Sequence, residues 1–160
     1  MSTLRILEMS SEYALGVVGP VLIQLWERGT PDEGARRACE EAESLARSPH
    51  PRTGSLIIVP EDAALPSPDA RKLLSELPGK LGRGAGVALV REGAGFRSAA
   101  VRAVMTGIMM VARDPVPHEV FSGTGSAIEW LLRRLQLPAL DLAGAADELR
   151  RSFAERVSPP

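Results

Sequence analysis

The sequence predicts an α/β domain, with helices packed on a mixed, mainly parallel sheet of four to six strands. Three observations predict it. Leu56 to Val59 and Val87 to Val90 are short, unbroken apolar runs of the kind buried on both faces of a sheet. Segments with apolar residues at helical spacing alternate with such runs along the chain. The length, 160 residues, suits one domain.

Leu4 to Met9 partly alternates and reads as an opening strand. Tyr13 to Val18 and Val21 to Trp26 read as one strand broken at Gly19-Pro20, or as two strands, because proline cannot donate to a ladder. Thr30-Pro31-Asp32-Glu33 predicts a helix start, with Thr30 as cap, Pro31 at the first helical position and Glu33 closing a capping box. Ala35, Ala38, Cys39, Ala42, Leu45 and Ala46 then share one face, small enough to lie close to a sheet. After the buried strand ending at Val59 comes a loop, Pro60 to Pro66. Ser67-Pro68 opens a second helix with Ala70, Leu73, Leu74 and Leu77 on one face, closed by Pro78-Gly79. Gly86 to Val90 is the next strand, and a long apolar helix is expected from Phe96 to Arg113. His118 to Phe121 is a short final strand. Ser126 and Glu129 suggest a second capping box, ahead of Ile128, Leu131, Leu132 and Leu135.

Beyond Pro138 an extra C-terminal helix is expected near Asp141 to Arg156, with Leu142, Ala145, Ala146, Leu149 and Phe153 aligned. The domain therefore divides into an α/β body, residues 1–137, a helical extension of the same domain, residues 138–157, and a disordered tail, residues 158–160. The C-terminal stripe must cover its own sheet or a second chain, and a homodimer is one expected outcome.

Hydrophobic residues make up 44% and charged residues 24%, with a formal net charge of −1, so no global field attracts nucleic acid or anionic lipid. Single Cys39 cannot form an internal disulfide, which agrees with a reducing, cytoplasmic location. Met1 to Ser11 lacks the apolar core of a secretory signal. Val17 to Trp26 and Ala99 to Ala112 fall short of the roughly 20 apolar residues a membrane span needs.

The strand Leu56 to Val59 with its loop and helix, the strand Val87 to Val90, the glycine turn into Phe96 to Val104, and Val120-Phe121 followed by Ser126 to Leu131 together carry a likeness. In these the chain resembles the STAS-like proteins, which include the sporulation anti-sigma-factor antagonists and the C-terminal domains of sulfate transporters. The likeness spans residues 4 to 137 and is closest to small bacterial α/β proteins of that kind. It implies a non-enzymatic regulatory or scaffolding module acting through protein–protein contact. It also implies a phosphorylatable serine at the start of the helix after the central strand. Ser67, in Leu65-Pro66-Ser67-Pro68-Asp69, holds that place, although the family's Asp-Ser-Ser/Thr-Gly stretch is not matched. Read from the residues alone, Ser67 is a helix cap.

The second functional reading is a small-molecule or nucleotide/phosphate binder, or an enzyme, built on the strand-to-helix turn at Gly93, Gly95, Arg97 and Ser98. Glycines there allow close backbone approach and Arg97 offers a counter-charge, although the third glycine of a dinucleotide fingerprint is replaced by Ser98. His50 and His118 stand far apart beside prolines, so no metal centre or cofactor is expected. A triad from His118 and Asp114 lacks a nucleophile elbow, and Glu61-Asp62 reads as a solvated pair. Cys39 reads as a buried thiol, Met105, Met109 and Met110 as core filling, and Arg133-Arg134 and Arg150-Arg151 as solvated helix faces.

Overall fold

The computed structural model describes residues 2–82, 84–93, 99, 103, 106, 107 and 116–158. A six-stranded sheet runs in chain order: β1 (Arg5–Met9), β2 (Ala14–Val18), β3 (Val21–Leu25), β4 (Gly54–Val59), β5 (Gly86–Arg91) and β6 (His118–Phe121). Four helices accompany it among the described residues: α1 (Asp32–Ala46), α2 (Pro68–Lys80), α3 (Thr124–Leu135) and α4 (Leu142–Val157).

The sheet is mixed rather than mainly parallel. β1–β2 and β2–β3 pair antiparallel, whereas β3–β4, β4–β5 and β5–β6 pair parallel. Connection length explains the division. A parallel crossover needs about a dozen residues or more, and the turns before and after β2 are far shorter. Gly19, at φ 52°, makes the β2–β3 turn in a conformation other residues resist, so the segment around Gly19-Pro20 is two strands. β4 and β5 lie side by side inside the sheet, Leu56 opposite Ala88 and Ile58 opposite Val90, as their apolar runs require.

Period-two alternation sends side chains to two cores. Leu15, Leu22, Trp26, Ile57, Val59 and Leu89 face α1 and α2. Val21, Ile23, Leu25, Leu56, Ile58 and Val90 face α3 and α4. The small face of α1 (Ala35, Ala38, Cys39, Ala42) is buried as its spacing implies, while Ala46 is exposed. Gly34 lets the first turn of α1 rest on the Tyr13–Trp26 ring pair, whose centroids lie 5.2 Å apart; a Cβ there would meet Tyr13 Cζ at 2.8 Å. Beneath α1, Gln24 is fully buried yet satisfied. Its Nε2 donates to Ser55 Oγ at 2.8 Å, and its Oε1 accepts from Trp26 Nε1 at 3.2 Å. This ties β3 to β4 without leaving a buried amide unpaired.

Three helix boundaries differ from the sequence reading. Pro31 stands outside α1 as its N-cap, with no side-chain cap, and Thr30 is buried instead of capping. α3 starts at Thr124 behind Gly123, so Ser126 lies inside the first turn and closes no capping box. α2 continues through Pro78 to Lys80, since a proline near the end costs only one terminal hydrogen bond.

α4 packs over β2 and β3, and α3 over β4 and β5. The stripe expected to cover its own sheet or a second chain takes the first course. Leu142 and Leu149 are fully buried and Phe153 is 3% exposed, all within their own domain. No helix among the described residues is long and apolar enough to cross a membrane.

Candidate functional site at the carboxyl edge of the sheet

Because β3 to β6 run parallel, the segments leaving β3, β4 and β5 emerge at one edge, where α1 and α2 also begin. In open α/β sheets ligands bind outside the carboxyl ends of the strands. Two features occupy this edge.

The first is the loop from Pro60 to Ser67. Leu65 is 45% exposed; among the described residues only Ile6 on β1, at 42%, is a comparably exposed large hydrophobic. The loop around Leu65 is fixed. The Ala64 N–H donates to the Arg28 carbonyl at 3.0 Å, Pro66 is buried, and the Pro66 carbonyl accepts from Arg71 Nε at 3.0 Å. An apolar side chain is thus held out to water on an anchored backbone. Two residues on, Ser67 is exposed and caps α2, its Oγ accepting from the Ala70 N–H at 3.1 Å. The same hydroxyl donates to Asp32 Oδ1 in the first turn of α1, so the starts of the two helices are linked through it. A phosphate at Ser67 would gain from the α2 dipole and be opposed by the Asp32 carboxylate. Glu61, Asp62 and Asp69 are exposed on the same stretch, and so are Arg28 and Arg71 beside it, so the surroundings of Leu65 carry charge of both signs.

The second is a cleft of about 450 Å³ lined by Glu27, Glu61, Glu92, Gly93, Arg150 and Phe153. Glu92, just past β5, forms an ion pair with Arg150 of α4, which fastens that helix to the sheet edge. Glu27, just past β3, is half-buried. Its burial pushes the carboxyl above its ordinary range, Arg150 pulls it back, and Glu92 adds to the rise. Gly93 has φ 91° and lies against the Glu61 side chain, so the turn after β5 does open with a residue in the left-handed region. Gly95, Arg97 and Ser98 of the expected anion turn lie outside the described residues, as do Asp114, Met105, Met109 and Met110. Most of the expected Phe96 to Arg113 helix lies there too, and so does the end of the expected tail, 159–160.

Elsewhere the sequence-derived candidates stay apart. His50 is exposed, and His118 is exposed with its Nδ1 2.9 Å from the Val116 carbonyl oxygen. No group of three or more His, Cys, Asp or Glu among the described residues is placed to hold a metal ion. Cys39 is buried, donates to the Leu73 carbonyl at 3.1 Å, and has its thiol pushed up to about 11, chiefly by burial. Arg150 corrects its reading as a solvated residue: it is the clasp between α4 and β5. That pairing joins residues 58 positions apart, so no local pattern announces it. Leu65 was equally hidden, because the hydrogen bonds that hold its loop are accepted by backbone carbonyls, which no residue type announces.

No family model, curated protein or solved structure matches this chain.

Proposed function

We propose that the domain is a non-enzymatic regulatory module that binds another protein at the carboxyl edge of its sheet, with Leu65 as the anchor. The observation that carries this reading is Leu65 itself, held 45% exposed on a loop whose backbone is anchored on both sides. An apolar side chain on a backbone already fixed in place loses little conformational entropy on binding, so more of its burial is kept as affinity. The resemblance to the STAS-like regulators points the same way, and Ser67 beside the anchor supplies a place where phosphate would change the surface charge.

A photo-crosslinking residue placed at position 65 tests it in cells. One protein should be trapped from position 65 and not from exposed Glu148 on α4, and Leu65→Asp in the untagged chain should compete poorly for it. Equal, diffuse crosslinking from both positions would end the proposal.

A second reading has its own observation, the cleft at Glu27. Three carboxylates and one guanidinium line it, so a neutral or cationic small molecule suits it better than a phosphate. Native mass spectrometry of the gently purified chain distinguishes the two: a retained small molecule favours the cleft, and a bare chain with a trapped protein favours Leu65.

A further inference from the structure

A second concavity lies away from the carboxyl edge, between β1 and α1, with a volume of about 490 Å³. Small-molecule sites usually measure about 300–1,000 Å³ and combine an apolar body with a few polar groups at one side. This groove has both parts. Leu7 of β1, Val17 of β2, Leu22 of β3 and Leu45 of α1 supply the apolar part. Leu7 and Leu45 are only half-buried, so the domain's own packing leaves them incompletely covered.

The polar part holds one cation, Arg5. Arg5 of β1 and His50, beyond the end of α1, line the groove and are both exposed. Neither takes part in an ion pair among the described residues. The groove's one carboxylate, Glu41, is held by Arg37 at 2.9 Å and is only 15% exposed, so its charge is answered from within α1. Ser44 adds a hydroxyl on the same side. A guanidinium without a carboxylate, above an incompletely covered apolar surface, is complementary to a molecule with an anionic head and an apolar body.

From this we infer that the groove between β1 and α1 binds a small amphipathic carboxylate, its head on Arg5 and its hydrocarbon on Leu7 and Leu45. A cation of the same shape meets Arg5 unfavourably, and an alcohol forgoes the charge-assisted hydrogen bond. The site is independent of Leu65 and of the Glu27 cleft.

Octanoate, octanol and octylammonium are matched probes, to be titrated into the intact ¹⁵N-labelled chain at pH 7. Octanoate should shift amides of β1, the β2–β3 turn and the second half of α1. Octanol should bind about tenfold more weakly, and octylammonium should leave these amides unmoved. Arg5→Gln lies on an exposed side chain and should weaken octanoate about tenfold while leaving octanol unchanged. Unshifted amides away from β1 will show that the variant keeps its fold. The inference falls if octanoate leaves the groove amides in place, if octanol matches it, or if Arg5→Gln changes nothing.

Discussion

Ending the chain at Leu137 removes α4 and with it the cover over β2 and β3. In the intact domain Leu142 and Leu149 are fully buried and Phe153 is 3% exposed, and they pack with Val18, Val21, Ile23 and Leu25. Burying a Leu or Phe side chain contributes about 1.5–3 kcal/mol, so the three contribute roughly 5–9 kcal/mol together. A domain of this kind has only about 5–15 kcal/mol of net stability. The shortened chain should therefore unfold or aggregate, as judged by circular dichroism and sedimentation velocity. A milder change keeps the magnitude measurable. Leu149→Ala should cost about 2–5 kcal/mol in urea denaturation, because Leu149 has no route to water and its neighbour Gly16 offers no side chain to refill the space. A shortened chain that stays folded and monomeric with the stability of the intact one would refute the reasoning. So would a shortened chain that keeps its fold only by dimerising through the uncovered strands, since the stripe would then be dispensable to its own sheet.

Gly34→Ala gains about 1 kcal/mol of helix propensity but drives a methyl into Tyr13 and Trp26, a clash worth about 1–3 kcal/mol, so its urea midpoint should fall. Ser67→Ala removes the α2 cap and the link to Asp32, and should cost about 1 kcal/mol without altering the rest of the spectrum; an unchanged midpoint would count against the cap. Burial raises the Glu27 carboxyl in the folded state, so its ionised form costs stability above that raised value and nothing below the ordinary 4.5. Glu27→Gln should accordingly be more stable than the parent at pH 7, with the gap closing toward pH 4.5; parallel pH profiles would contradict this. With its thiol held up to about 11, Cys39 should resist iodoacetamide at pH 8 in the folded chain and react fully in urea; rapid labelling of the native protein would show the site to be open.

Much of the fold could be read from local chemistry, and the losses have specific causes. β4 and β5 were legible because a strand buried on both faces has no polar alternation to confuse it. The start of α2 was legible because Ser67 caps with its own side chain and Pro68 takes the first helical position. The start of α1 was not, since Pro31 at φ −64° and ψ 151° serves as an extended N-cap as readily as a first helical residue. The balance of parallel and antiparallel pairs was misjudged as mainly parallel, because the short turns at Ser10 to Tyr13 and Gly19-Pro20 tell only once the broken segment is known to be two strands. At the candidate site the exposed serine was legible as a cap. The anchoring of the Leu65 loop to Arg28 and the Glu92–Arg150 clasp were not, because both depend on groups brought together only by folding.

Where function can reside is narrowed by what the helices already cover. α1 and α2 occupy one face of the sheet, α3 and α4 the other, so neither face offers an open platform across the central strands. The β1 edge is irregular between Ile6 and Glu8 and carries Arg5 and Glu8, features that discourage another strand from adding to it. Among the described residues, loop ends and the sheet edges at β1 and β6 remain. The carboxyl edge brings together an anchored exposed leucine, two linked helix starts and a cleft with the half-buried carboxylates Glu27 and Glu92, and Leu65 belongs to neither core. Substituting Leu65 should therefore leave stability within about 0.5 kcal/mol, as surface changes generally do. If Leu65→Asp were instead to destabilise the domain by several times that amount, its side chain would belong to the fold and not to a partner.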